Sequence, residues 1–358
     1  MRIGIICPSE IAFRRFLPAL KKTNIEYVGV AYASLEEWFG EKNSDNASSS
    51  VIDNECKKAE SFMESYGGKV FKGYDSLLTS DEIDAVYLPL PPALHYKWAR
   101  RALENGLHVL VEKPFTTSLT DTEELIRLAK KKDLTLHENY MFVFHSQIET
   151  INRVVQSGEI GEVRLFRVDF GFPDRGKTDF RYNKALGGGA LLDCGGYTLK
   201  YANLLLGGNA FITTANMLYT DKYDVEVAGS ATLKNDIGQV AQVSFGMDND
   251  YRCSVEIWGS LGTLRSGRVL TAPDGFVPLY EISKNGKTDH FEMQTDDAFL
   301  KSILQFFDCV ENKDIRINNY ATIIKQSSLV EEFRKECRRN FLTVESGVFI
   351  DKQYKTGD

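Results

Sequence analysis

No C-x-x-C pair occurs in the sequence, and its six cysteines, at positions 7, 56, 194, 253, 309 and 337, are scattered. That pattern suggests neither a zinc site nor a disulfide framework, and no metal-ligand set is read from it; reduced thiols in a cytoplasm are the expectation. No apolar run reaches the length of a membrane span, and the chain enters its first strand without a basic region followed by an apolar one, so neither a leader nor a membrane segment is expected. An excess of positive charge is missing too. Lys and Arg number 43 against 50 Asp and Glu, for a formal charge of −7 and a pI near 5.5, which argues against a general nucleic-acid or anionic-membrane binder. Internal repeats are absent. The remaining composition, 43% hydrophobic and 26% charged over 358 residues, is that of a globular protein of one large or two ordinary domains.

Strands and helices alternate over the first 140 residues. Arg2 to Cys7 reads as a buried strand, followed by a helix from about Ile11 to Lys22 with a stripe of Ala12, Phe16, Ala19 and Leu20. Tyr27 to Tyr32 is a second strand, the polar run 41–52 a surface loop, and Cys56 to Tyr66 a helix. The strand Ala85 to Leu88 and a helix from Ala93 to Asn105 come next. After the strand ending at Glu112 the pattern gives a helix from Leu119 to Lys131 and a strand from Leu134 to Glu138. Such alternation predicts βαβ units and a parallel sheet. Beyond residue 144 it changes to a helix ending at Gly158, then long alternating strands interrupted by a glycine-rich helical segment, Gly187 to Leu206, and two late helices. This half is predicted as α+β around a large, mostly antiparallel open sheet. The expected domains are 1–140 and 141–358.

The chain is organised around Leu107-His108-Val109-Leu110-Val111-Glu112-Lys113-Pro114-Phe115. Its apolar run lacks alternation, as in a parallel strand buried on both faces. Pro114 has no N–H for a ladder and biases Lys113 towards an extended conformation. Glu112 and Lys113 are thereby expected at the carboxyl end of a central strand, where open α/β sheets place their ligands.

The run from Val86 to His95, the Ala102–Pro114 segment with its Glu112-Lys113-Pro114, the Ser157–Val163 turn and the Gly187-Gly188-Gly189-Ala190-Leu191-Leu192-Asp193 segment together resemble the glucose–fructose oxidoreductase / inositol dehydrogenase (Gfo/Idh/MocA) family. Where many members carry a catalytic His, this chain has Asp193-x-x-x-Tyr197, which looks like the branch holding dihydrodiol and xylose dehydrogenases and nucleotide-sugar 3-ketoreductases; the first helix, with Arg14 and Arg15, is similar to the last of these. The resemblance implies a Rossmann domain binding NAD(P), an open-sheet second domain through which the chain forms homodimers or higher homo-oligomers, and hydride transfer to or from a sugar-like ketone or alcohol, nucleotide-linked ketosugars included. It places the cofactor against Cys7, Pro8, Ser9, Glu10, Ile11, Ser34, Leu90, Pro91, His95, Glu112 and Lys113. Two departures stand out. The usual glycine-rich turn reads Cys7-Pro8-Ser9-Glu10-Ile11-Ala12, without both early glycines and with Pro8 removing an N–H. Val143 stands where the family's Tyr-Arg-Phe run has its Arg.

A hydride reductase needs an acid to protonate the oxyanion that develops. Tyr197 suits that role, with Lys113 as the ammonium that lowers its pKa and holds the substrate oxygen, and Asp193, one turn earlier, orienting Lys113 or a sugar hydroxyl. His108 and His95 are expected to be structural, although His95 lies near the cofactor; His145 is a secondary substrate contact. At the end of strand two no acid follows until Glu36, and Ser34 can donate to a 2′-phosphate, which tilts cofactor choice towards NADP. The alternative reading is a non-catalytic NAD(P)-binding regulator on the same fold.

Overall fold

A computed structural model describes residues 1–39 and 46–342. Six parallel strands, β1 (Arg2–Ile6), β2 (Glu26–Tyr32), β3 (Lys69–Lys72), β4 (Ala85–Leu88), β5 (His108–Val111) and β6 (Leu136–Glu138), form one sheet in the order β3-β2-β1-β4-β5-β6. The order reverses between β1 and β4, and there a doubly wound sheet leaves a crevice at its carboxyl edge. β4 is wholly buried and β5 nearly so, which is why both read as unbroken apolar runs. Around them lie a π turn (Ala12–Phe16) leading into α1 (Leu17–Leu20), then α2 (Leu35–Phe39), α3 (Asn46–Tyr66), α4 (Tyr74–Leu78), α5 (Pro92–Glu104) and α6 (Leu119–Lys132).

The expected loop over 41–52 needs correcting. Residues 41–45 lie outside the described residues, and from Asn46 onward the chain is helical, in α3. Its apolar stripe, Ile52, Ala59 and Phe62, is buried, and that packing carries the serine-rich first turns whose composition suggested a loop. The sequence reading also passed over β3, whose ends are Lys69 and Lys72 at the sheet edge, a position that selects for charge rather than for an apolar pattern.

After α7 (Ser146–Gln156) comes the second sheet, of β7 (Val163–Gly171), β8 (Phe211–Leu218), β9 (Ala228–Lys234), β10 (Val240–Gly246), β11 (Arg252–Gly259), β12 (Thr263–Gly267), β13 (Leu279–Lys284) and β14 (Lys287–Glu292). They run in the order β14-β13-β12-β11-β7-β10-β9-β8, with β7 and β10 parallel and every other pair antiparallel. One face packs against α8 (Gly196–Leu205) and α10 (Lys313–Leu342). Phe166, Val168 and Phe170 of β7 point into that core. The opposite face is a trough of about 1070 Å³ lined by Arg167, Asp169, Gln242, Ser244, Glu256 and Arg265 among others. It is charged, with Glu256 accepting from Arg265 at 2.7 Å and from Arg167 at 3.4 Å.

The chain then returns to the first sheet. α9 (Ala298–Glu311) buries Phe299, Ile303 and Phe306 with Ile3, Ile5 and Phe16. Tyr320 and Ile323 of α10 join the core under β4 to β6, while Thr135 Oγ1 donates to the Cys309 carbonyl at 3.0 Å and Asn319 Nδ2 to that of Leu136 at 2.6 Å.

Candidate active site

Lys113 leaves the end of β5 on a short, heavily braced turn. Glu112 Oε1 accepts from Tyr87 Oη and from Asn139 Nδ2, both at 2.6 Å, which locks the preceding side chain. The Lys113–Pro114 peptide is cis. Phe115 N–H donates to buried Glu138 Oε1 at 3.0 Å, and the two ring nitrogens of His95 lie 2.7 Å from the carbonyl oxygens of Pro114 and Leu90. Burial pushes the His95 pKa down despite those two carbonyls. His95 is therefore a tether behind the turns and not a cofactor contact on the cleft lining.

The second wall comes from the other half of the chain. A π turn, Leu191–Gly195, continues into α8 and carries Asp193 and Tyr197. Gly189, which precedes it, has φ 120°, and a Cβ there would stand 2.4 Å from Glu226 Oε1; only glycine lets the backbone pass. Gly196 is as restricted, since a Cβ would meet Tyr140 Oη at 2.0 Å.

Lys113 and Asp193 meet. Lys113 Nζ donates to Asp193 Oδ1 at 2.6 Å and to the Asp193 carbonyl at 3.0 Å, with both side chains 12% exposed. Arg181 Nε donates to Asp193 Oδ2 at 2.8 Å and braces itself on Asp179. Burial works to raise the Asp193 carboxyl, but the two cations outweigh it and hold the group well below the usual carboxylate range. Lys113 Nζ also lies 4.8 Å from the centroid of the Tyr197 ring, whose edges pack on Tyr140 and Phe170 at 5.1 and 5.3 Å. Burial, and behind it the carboxylates of Glu112 and Asp193, push the Tyr197 phenol well above its ordinary value. This corrects the expected lowering: the Lys113 charge sits over the ring and is already paired with Asp193. Arg181 was not singled out from sequence, because the irregular loop that holds it has no periodicity to read.

These groups line a cavity of about 750 Å³ with Cys7, Ser9, Glu10, Ile11, Leu90, Pro91 and Glu112. A second cavity, of about 670 Å³, shares Cys7, Ser9, Glu10, Leu90 and Pro91 and adds Pro8, Trp38, Tyr74 and Trp98. The pair forms one cleft along the carboxyl ends of β1, β2, β4 and β5. It fits a dinucleotide by the geometry of its turn: Cys7 takes φ 81°, the left-handed conformation for which glycine is normally needed, so the backbone keeps the glycine-type turn without the glycine. Ser9 Oγ accepts from Ala12 N–H, and Ser9, Glu10 and Ile11 of this turn line the cleft.

Ser34 is an N-cap. Its hydroxyl accepts from Glu37 N–H at 3.3 Å while Glu37 Oε2 accepts from Ser34 N–H at 2.7 Å, a capping box. The Glu37 carboxylate also accepts from the amides of Tyr74 and Asp75, each at 2.9 Å, and lines the second cavity. It is the acid that the strand-end reading missed, because a helical turn carries it back to the cleft. His145 caps α7 through Nδ1, so its expected substrate contact gives way to a structural role. Val143 lines a separate cavity beside α7.

A reversing parallel sheet, a dinucleotide-sized cleft and a Lys-Asp-Tyr cluster facing it describe a nucleotide-dependent oxidoreductase with two sheets. Residues 23–140 match the family model described as an oxidoreductase family with an NAD-binding Rossmann fold, and residues 148–265 match the GFO/IDH/MocA C-terminal domain. The chain belongs to the GFO/IDH/MocA oxidoreductase family. It is 35% identical over 338 residues to the dTDP-3,4-didehydro-2,6-dideoxy-alpha-D-glucose 3-reductase of Actinomadura kijaniata, covering 94% of this chain and 96% of that one. It is 32% identical to D-xylose 1-dehydrogenase (NADP(+)) 2 of Haloferax volcanii, covering 87% and 89%. Among solved structures, the A. kijaniata 3-ketoreductase KijD10 in complex with NADP and TDP-benzene superposes with a TM-score of 0.84 at 35% identity, over 94% and 97% of the two chains.

Asp193→Asn leaves two buried cations without their anion, and breaking such a pair destabilises by roughly 3–5 kcal/mol. The folded-state pKa of Asp193 is depressed, so its stabilisation is full above the ordinary carboxylate range and lost as pH falls through the folded value. Urea midpoints of wild type and Asp193→Asn should therefore differ most at neutral pH and converge as acid is added. A gap independent of pH would show that the carboxylate charge is not what holds the site.

Proposed function

We propose that the protein reduces a sugar ketone, carried on a nucleotide, with NADPH, or runs the reverse oxidation. The observation that carries this is the Lys113–Asp193–Tyr197 cluster facing the cleft at the end of β5. The dinucleotide, when bound, supplies or takes the hydride. Lys113 Nζ holds the carbonyl oxygen and polarises it, and Tyr197 Oη gives that oxygen its proton. A phenol whose pKa is raised stays protonated at neutral pH, the state a proton donor needs. Asp193 and Arg181 keep Lys113 in place. The relatives support the substrate class, and variants of KijD10 have been solved with a Lys exchanged for Ala or Glu and a Tyr for Phe; those residues are as far apart in sequence as Lys113 and Tyr197. A regulator would have no use for a proton donor beside an ammonium, which favours the enzyme reading.

In this reading residues 1–140 bind the nucleotide and 141–358 the substrate, with α9 and α10 returning to brace the first sheet. The six unpaired cysteines suit a cytoplasmic setting. Homo-oligomers form through the open face of the second sheet, whose neighbouring Arg and Glu side chains are complementary to a second copy of themselves. Sedimentation at micromolar concentration should show a species larger than 40.4 kDa; a clean monomer would remove this part of the proposal.

Cofactor choice turns on Ser34 and Glu37. The NADP-binding relatives and a hydroxyl at Ser34 beside the cleft favour NADPH, whereas the Glu37 carboxylate, which itself lines the second cavity, opposes a 2′-phosphate. Glu37→Gln should shift the NADPH-to-NADH affinity ratio towards NADPH by about tenfold, roughly one charge-assisted contact, measured by nicotinamide fluorescence. An unchanged ratio would place the 2′ group elsewhere.

Tyr197→Phe keeps the ring and loses the proton. Turnover should fall by roughly 10²–10⁴-fold with nucleotide affinity near wild type. Lys113→Met should lose a similar factor, and the double variant much less than the product of the two, because residues acting as a unit are not additive. Full kcat in Tyr197→Phe would falsify the assignment.

A further inference from the structure

α8 is buried from Gly196 to Asn203, and Lys200 is its one charged residue. The chemistry makes no use of this ammonium, whose side chain is 7% exposed. Its hydrogen-bond acceptor among the described residues is Glu138 Oε2 at 3.5 Å, and the Glu138 side chain is 2% exposed. Burial lowers the Lys200 pKa and raises that of Glu138, while the attraction between the two works against both shifts. A pair so enclosed, at so long a distance, is a poor source of stability, because well-packed apolar side chains in its place would serve as well. Its placement points to another use. β5 and β6 are neighbouring strands. Lys113, just past the end of β5, reaches Asp193, and Glu138, the last residue of β6, reaches Lys200. Two ion pairs thus run from adjacent strand ends to one helical stretch, and Tyr197 lies between their contact points in sequence. The other oxygen of Glu138 accepts from the N–H of Phe115, on the turn that follows Lys113. A single carboxylate therefore touches both the turn that carries Lys113 and the helix that carries Tyr197. Tyr140 adds a third contact: Lys200 Nζ lies 5.5 Å from its ring centroid, and that ring packs edge-on against Tyr197 at 5.1 Å.

We propose that Glu138 and Lys200 are positioning residues for the proton transfer, the one carboxylate holding the Lys113 turn and the Tyr197 helix at a fixed separation. Neither is among the residues lining the cleft, so both act through the groups they hold. The Lys113–Asp193 pair by itself is one point of attachment, about which the helix can still turn. A second attachment, seven residues further along, fixes its rotation as well as its distance. Proton transfer depends on both, since a displacement of about 1 Å can cost on the order of 10²-fold in rate. The inference rests on the proposed oxidoreductase reading and names what aligns its two reacting side chains.

The test uses the full chain with NADPH and a thymidine-diphosphate-linked 3-ketosugar. Lys200→Met should lower kcat by roughly 10–100-fold. KM for the sugar should stay within about threefold and NADPH affinity, read by nicotinamide fluorescence, within about twofold, the split expected when only the transition state loses an interaction. The solvent deuterium isotope effect on kcat should rise, because the misplaced proton becomes the slow step. Glu138→Gln combined with Lys200→Met removes both charges, so the urea midpoint should return towards wild type while kcat does not. Recovery of kcat together with the midpoint would overturn the proposal, by showing that the pair only supports the fold; so would an unchanged kcat in Lys200→Met. A second arm needs no substrate. Two clamps on one helix should make the urea midpoint of Lys200→Met with Asp193→Asn shift clearly less than the sum of the two single shifts, whereas independent pairs add. Additive shifts would overturn the shared clamp. A wild type that binds NADPH and reduces no ketosugar sinks the oxidoreductase reading instead, and the urea cycle still decides the clamp.

Discussion

The contact between Lys113 and Asp193 joins residues 80 apart in sequence, one just past the end of β5 and the other in the π turn before α8. Taking two charges out of water is unfavourable, and their attraction offsets it only when geometry is good and the remaining hydrogen-bonding capacity is met. Most of the local structure meets that condition. Arg181 occupies the second oxygen of Asp193, and the Asp193 carbonyl takes another Lys113 proton. The glycines before the helical turn let its backbone come close enough for the bond to form.

Carboxylates around the pair are divided by their surroundings. Burial raises Glu112, and the hydrogen bonds from Tyr87 and Asn139 only partly counter it. Burial also raises Glu138, against the attraction of Lys200. Asp193 is as enclosed but touches two cations, so it stays charged. The contrast separates a carboxylate that anchors a lysine from two that brace a backbone turn. Burial, with the nearby negative charge behind it, keeps the Tyr197 phenol protonated.

Much of this was legible in the chain itself. The unbroken apolar run into Glu112-Lys113-Pro114 and the βα alternation determined the parallel sheet and put Lys113 at its ligand-binding edge, because burial on both faces leaves a pattern that needs no partner to be read. The glycine-rich segment with Asp193 and Tyr197 marked the second wall, and the family followed from these motifs in order. The charged edge strand β3 and the serine-rich start of α3 were not legible, since neither owes its structure to its own composition.

Tertiary structure alone decided how those residues act. That Asp193 pairs with Lys113, that Arg181 completes the pair and that Tyr197 is raised instead of lowered all depend on which charges burial brings within a few ångströms. Glu37 reaches the cleft through a helix cap, and His95 is withdrawn from it by two carbonyls. Sequence fixes residue type and local period, whereas a pKa or a contact belongs to the sum of neighbours that folding assembles from distant positions.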